Sequence, residues 1–260
     1  MNYKRLLVTD ADNTLWETDE VFAAAQLDLL QRVEEDYGVS VPNNDRLKFV
    51  REFDQALASR HPEGLKYPVH QLVRSIVSAI QNGDAELAIN DALQRESPDP
   101  KAEAIANTFV ARVLNVIPTL RLGVAKTVPA LAQNQIRVVV LTEGNAERCE
   151  RLLDHHGLRH SVFAVQAEKK TIETYAVLRS RYGGSDRPVM VGDQIDRDIE
   201  ISKLAGYTTV HFPGGFNPVW TLNRQVVPDY AITSYDQIEP ILGVATTADP
   251  RKRAARRGRN

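Results

Sequence analysis

The sequence predicts an α/β fold, a Rossmann-like parallel-sheet core interrupted by an all-helical cap domain. Three observations carry this expectation. Short apolar, β-branched runs recur over residues 5–10 and 137–233, each closing on a polar or glycine-containing turn. Helix-like stretches alternate with them, the order of a parallel sheet with crossover helices. Residues 17–117 hold no convincing strand, only helical periodicity.

The runs lie at 5–10, 137–142, 188–193 and 208–212, with weaker ones at 162–165 and 230–233. They are continuous rather than alternating, as strands buried on both faces are. Helical stretches at 145–156, 171–182 and 197–205 fall between them. In the strandless region, Val69, Leu72, Val73, Ile76, Val77 and Ile80 recur at the spacing of one helix face. Phe22, Leu29, Leu30, Val33 and Tyr37 define another, ended by Gly38. Leu47, Val50, Phe53 and Leu57 suggest a third, and Ile105, Phe109, Val113 and Ile117 a later one. The turn Ser97-Pro98-Asp99-Pro100 separates the last two helices. So long a helical stretch exceeds one crossover helix. The expected organisation is a core of residues 1–16 and 118–245, a helical cap of 17–117 and a basic, disordered tail of 246–260. The linkers fall near Trp16–Glu17 and Ile117–Pro118.

The chain has 260 residues, 43% hydrophobic and 25% charged, which is globular composition. No apolar run approaches the roughly 18 residues of a membrane helix. Leu6-Leu7-Val8 is too short for the apolar core, about 7–15 residues, of a signal peptide. Cys149 is the only cysteine, so an intrachain disulfide is excluded and a reduced, cytoplasmic setting is expected. The net charge of −2 hides an asymmetry: residues 251–260 hold six Lys or Arg and no acid. The first 250 residues carry 26 basic and 34 acidic side chains, a net of −8. An acidic body disfavours nucleic acid as a partner, and no membrane partner is expected. The sequence leaves the oligomeric state open.

The strand ends carry the chemistry, because open parallel sheets bind ligands beyond their carboxyl ends. The first run ends at Asp10, with Asp12 just after; the second at Thr142, followed by Glu143 and Gly144. The fourth ends at Gly192-Asp193, with Asp196 and Asp198 following. Any one of these, taken alone, reads better as a turn former or a helix cap. Their coincidence at one end of successive strands is what points to a site. Carboxylates gathered on one rim repel unless a cation neutralises them, and oxygen-only ligands favour a hard ion, Mg²⁺ first. Lys169 and Lys170, following the third run, offer a positive charge.

Asp10-Ala11-Asp12-Asn13-Thr14, Leu141-Thr142, a lysine at 169–170 and Gly192-Asp193 with Asp198 resemble, in order, the four motifs of the haloacid dehalogenase-like hydrolases. Most members of that superfamily are phosphatases. The resemblance spans residues 5 to about 235, and the first and fourth motifs together are its specific part. It implies that Asp10 is the nucleophile and forms an aspartyl-phosphate. Asp12 then protonates the leaving alcohol and activates water. Asp10, the Asp12 carbonyl and Asp193 hold Mg²⁺, Thr142 and the lysine bind the phosphoryl group with Glu143 and Gly144 beside them, and Asp198 orients the lysine or a metal-bound water. Lys170 fits the motif spacing better, with Lys169 the alternative. Relatives often carry Thr-Asn-Gly where this chain has Thr142-Glu143-Gly144, so Glu143 brings a negative charge near a phosphate site unless it points outward. A cap inserted after the first motif implies a small phosphorylated metabolite as substrate. The alternatives are a haloacid dehalogenase of the same fold and a non-catalytic binding or regulatory member.

Overall fold

A computed structural model describes residues 3–41, 45–94, 99–184, 186–215, 218–221 and 225–244. The expected basic tail lies outside them, as does Ser97-Pro98. Among the described residues, six parallel strands form one sheet, β1 (Arg5–Thr9), β2 (Ile136–Thr142), β3 (Ala164–Ala167), β4 (Val189–Gly192), β5 (Thr208–His211) and β6 (Tyr230–Ala231). Their spatial order is β3-β2-β1-β4-β5-β6. Sequence order therefore reverses direction between β1 and β4, and that crevice is where a doubly wound sheet binds its ligand.

The described residues divide into two compact units. The first contains the sheet. Alternate residues of each central strand face opposite ways, so the sheet has two apolar layers. Leu7, Val138, Val140, Val189, Val191 and Val210 pack on one side with Trp16, Val128, Leu131, Leu152 and Tyr235. Leu6, Val8, Val139, Leu141 and Met190 pack on the other with Tyr175, Leu178 and Tyr207. The edge strands β3 and β6 lack this double burial, which is why their sequence signal is weak.

The second unit comprises Thr18–Pro118 together with residues 218–221. It holds α1 (Thr18–Tyr37), α2 (Arg46–Arg60), α3 (Val69–Asn82), α4 (Ala85–Gln94) and α5 (Pro100–Asn115). Leu29, Leu30, Val33, Val50, Leu57, Leu72, Val73, Ile76, Ile105 and Phe109 share one core, with Trp220 packed against it. Asp99 accepts from the amides of Lys101 and Ala102 and so caps α5, with Pro100 in its first turn. Two details depart from the periodicity. Phe22 is partly exposed, and α5 ends at Asn115, leaving Ile117 exposed beyond it.

The remaining helices flank the sheet: α6 (Val124–Gln133), α7 (Ala146–His155), α8 (Ile172–Tyr182), α9 (Ile201–Leu204) and α10 (Ile238–Ile241). A π-helical turn, Ile195–Glu200, runs directly into α9. Where the chain leaves and re-enters the first unit, two short segments pair. The Glu17 amide donates to the Thr119 carbonyl, the Arg121 amide donates to the Leu15 carbonyl, and Trp16 bridges Leu120 antiparallel. Arg121 then donates to the carbonyls of Asn13, Phe212 and Pro213 and pairs with Glu17 at 3.2 Å. Its guanidinium lies 3.5 Å over the Phe212 ring. Among the described residues no helix is long and apolar enough to cross a membrane.

Candidate active site

β1 and β4 are adjacent and in register, and their carboxyl ends deliver Asp10 and Asp193 side by side. The Asp10 amide donates to the Val191 carbonyl at 2.9 Å, which extends the β1–β4 pairing to the nucleophile candidate itself. Behind it, Tyr235 donates its buried hydroxyl to Thr9 Oγ1 at 3.0 Å, and Thr9 donates on to the Asp10 carbonyl at 2.9 Å. Asp198, in the π-helical turn, is fully buried and receives the Gln194 amide on Oδ2 at 3.0 Å. Gly192 leaves room for this return. A Cβ there would overlap the Asp198 side chain. Carboxylate oxygens of Asp10, Asp193 and Asp198 all lie within 4.8 Å of one another.

Lys170 enters this cluster from the loop after β3. Its Nζ donates to Asp10 Oδ1 and pairs with Asp198 Oδ1 at 2.6 Å. Lys169 is exposed, and its carbonyl accepts from the Thr174 hydroxyl. Of the two lysines that the spacing leaves open, the structure brings Lys170 to Asp10. Burial works against the ammonium charge, but the Asp10 and Asp198 carboxylates hold the Lys170 pKa well above its ordinary value. Burial pushes the Asp10 carboxyl up to about 7. Lys170 pulls it down, and Asp198 raises it further. Asp193 is raised well above the usual carboxylate range, first by burial and then by Asp10 and Asp198.

Both Asp193 oxygens are buried without a hydrogen-bond partner among the described residues. The loop after β5 closes one side, because a Cβ on Gly214 would come within 2.8 Å of Asp193 Oδ2. An orphaned buried carboxylate beside two others, with one lysine between them, leaves an excess of negative charge and free oxygen ligands. The residues present fit a hard divalent cation.

Asp12 is half-buried, and its Oδ1 accepts from Trp16 Nε1 at 3.0 Å and from Arg148 Nη1 at 3.3 Å. Its Oδ2 faces Gly144, where an added Cβ would stand 3.3 Å away. Thr142, buried at the end of β2, accepts the Gly144 amide on Oγ1 at 3.0 Å, which leaves its hydroxyl proton free to donate. The Glu143 carboxylate turns aside. Oε1 accepts the Lys170 backbone amide at 2.9 Å and Oε2 accepts Arg197 Nη1. Burial disfavours its charge, but the Lys170 amide and the Arg197 and Lys170 charges hold the carboxyl below its ordinary value. Of the residues expected to contact phosphate, Thr142 and Lys170 therefore present free or charged donors. Glu143 and the Gly144 amide are engaged with other groups.

Sequence reasoning missed Arg148 and Arg197. Arg148 lies one turn past the Asn145 cap of α7, and Arg197 lies inside the fourth motif. Neither position reveals its long-range partner.

The haloacid dehalogenase-like hydrolase family profile matches residues 4–206. The chain belongs to this family. Solved structures share the fold of this hydrolase at low identity. YfnB of Bacillus subtilis, described as a HAD-hydrolase bound to magnesium, superposes with a TM-score of 0.63 at 18% identity, over 94% of this chain and 100% of its own. A predicted phosphoglycolate phosphatase from Haemophilus somnus gives 0.62 at 18%, over 93% and 99%. A 2-haloacid dehalogenase from Pseudomonas syringae gives 0.53 at 22%, over 92% and 98%. Identities this low speak to the fold alone. No curated protein sequence matches significantly.

Proposed function

We propose that this HAD-like hydrolase is a Mg²⁺-dependent phosphatase acting on a small phosphorylated metabolite through an aspartyl-phosphate. The observation that carries the proposal is Asp12. A second carboxylate stands two residues past the buried Asp10, and its orientation is fixed by Trp16 and Arg148. Ester cleavage needs such an acid. Carbon–halogen cleavage does not.

Asp10 attacks phosphorus, forming an acyl-phosphate bond as the ester P–O bond breaks, and Asp12 gives its proton to the departing alkoxide. Asp12, now a carboxylate, takes a proton from water as the water attacks the same phosphorus, and the bond to Asp10 breaks to release inorganic phosphate. Thr142 donates to a phosphoryl oxygen, and Lys170 holds Asp10 and the phosphoryl group together. Asp10, the Asp12 carbonyl and Asp193 would hold Mg²⁺, which supplies positive charge against the phosphoryl dianion. The helical unit, inserted directly after Asp12 and Trp16, would serve as the cap that selects the leaving group. A cytoplasmic setting belongs to the same proposal.

The test is release of phosphate from an aryl phosphate and a metabolite panel, with and without Mg²⁺. Silence across the panel removes the phosphatase, and Mg²⁺-independent halide release from a 2-haloacid replaces it with a dehalogenase. Asp193→Asn should raise the Mg²⁺ concentration needed for half-maximal rate; an unchanged titration takes Asp193 out of the metal site.

Mg²⁺ affinity should also depend on pH. With its pKa at about 7, metal-free Asp10 is mostly protonated in mildly acidic solution, so binding must displace a proton. The Mg²⁺ midpoint, followed by calorimetry, should rise as pH falls from about 8 to about 6. A midpoint constant across that window would contradict this coupling.

A further inference from the structure

We propose that Glu143 is a positioning residue that holds Lys170 between Asp10 and Asp198. The inference rests on the phosphatase reading only in giving Lys170 a role at phosphorus. Five groups close a ring. The Lys170 amide donates to Glu143 Oε1 at 2.9 Å, and Glu143 Oε2 accepts from Arg197 Nη1. Arg197 Nε donates to the Gln194 side-chain Oε1 at 2.8 Å, and the Gln194 backbone amide donates to Asp198 Oδ2 at 3.0 Å. Asp198 Oδ1 returns to Lys170 Nζ at 2.6 Å. Glu143 is the member that spans segments. It fastens the β2 end to the lysine loop and to the π-helical turn carrying Asp198.

The ring fixes both ends of Lys170. Glu143 holds its backbone and Asp198 its ammonium. Lysine carries four rotatable side-chain bonds, so an unanchored backbone would spread Nζ over many positions. The loop from Glu168 to Thr171 has no strand or helix of its own. The Arg197 end is anchored too, because the Tyr175 hydroxyl donates to its carbonyl at 3.2 Å. The ring also accounts for an acid where relatives often place an amide. Two donors, one from each neighbouring segment, meet residue 143, and a carboxylate offers each its own oxygen. An amide has one oxygen and would turn an NH₂ toward the other donor.

The experiment compares Glu143→Ala, Glu143→Gln and Glu143→Ala/Arg197→Met with the unaltered chain by two readouts. The first is kcat and KM on nitrophenyl phosphate with Mg²⁺. Glu143→Ala should lower kcat about 10–100-fold, the scale of losing an orienting partner, with KM little changed. Glu143→Gln should fall between it and the unaltered enzyme. The double variant should match Glu143→Ala within about threefold, because both changes break one ring. A lower KM with kcat unchanged would mean that Glu143 acts as a repelling charge at the anion site, and would overturn the proposal.

The second readout needs no turnover. Acetylation of Lys170 by acetic anhydride is mapped by mass spectrometry, with the exposed Lys169 as internal reference. Lys170 should be protected in the unaltered chain and label about tenfold faster in Glu143→Ala. Unchanged labelling overturns the ring whatever the substrate proves to be. An unaltered enzyme inert toward every phosphate ester would remove the phosphatase reading alone. Glu143→Gln and the double variant, which leaves no buried unpaired arginine, keep the test open should Glu143→Ala fail to fold.

Discussion

Asp10→Asn should abolish phosphate release while the protein stays folded. The loss should be roughly a million-fold, the scale on which enzymes depend on a covalent nucleophile. An amide oxygen is a poor nucleophile, so no acyl-phosphate bond forms. The fold should survive for an electrostatic reason. The Asp10 carboxyl is pushed up to about 7 from an ordinary 3.8, so its ionised form is disfavoured in the folded, metal-free chain. The sign follows from linkage: a carboxyl with a raised folded pKa leaves stability intact below the unfolded pKa and erodes it as pH rises through the folded one. Asparagine is neutral throughout. Without metal, the variant should melt no lower than the unaltered protein above about pH 7, and it still offers an oxygen to Lys170. Near-normal turnover would end the nucleophile assignment, and a collapsed melting curve would show that Asp10 is structural.

Removing Asp12 should divide substrates by leaving group. Asp12→Ala should cost about 10²–10⁴-fold on alkyl phosphates, whose alkoxide must be protonated as it departs. The loss should be smaller on nitrophenyl phosphate, whose phenolate leaves unaided. Alanine also strands Arg148, whose Nε and Nη2 are already buried without partners among the described residues. Asp12→Asn is the needed companion, because its amide oxygen still accepts from Trp16 and Arg148 while the exchangeable acid proton is gone. The two variants should share the same substrate dependence. Equal losses on both substrates would show that Asp12 is not the acid.

The sheet was legible because its central strands are buried on both faces, which forces runs such as Val138-Val139-Val140-Leu141. Asp10 and Asp193 were legible because each ends such a run. Helices with a weak or broken stripe were not. Residues of α4 bury alanines, Ala88 and Ala92, around Ile89, and carry little apolar signal. Helix α6 begins after Gly123 and contains Pro129, both of which read as breakers. Yet Val124, Val128 and Leu131 of that helix are fully buried. By sequence, Glu143 is a negative charge near a phosphate site unless it points outward. Its partners, Lys170 and Arg197, lie 27 and 54 positions away. Such pairings depend on which strand ends become neighbours, and local periodicity does not carry that information.

The paired segments at Leu15–Glu17 and Thr119–Arg121 have a consequence for how this protein can diversify. Departure and return of the chain sit side by side, joined by backbone hydrogen bonds and by Arg121, which also braces Asn13 and the loop at Phe212 and Pro213. The inserted helices therefore begin and end at one doorway, and the core's own bonds frame it. A longer, shorter or foreign insert can be grafted between Glu17 and Thr119 without rerouting any strand, and the rim of aspartates stays where the core strands put it.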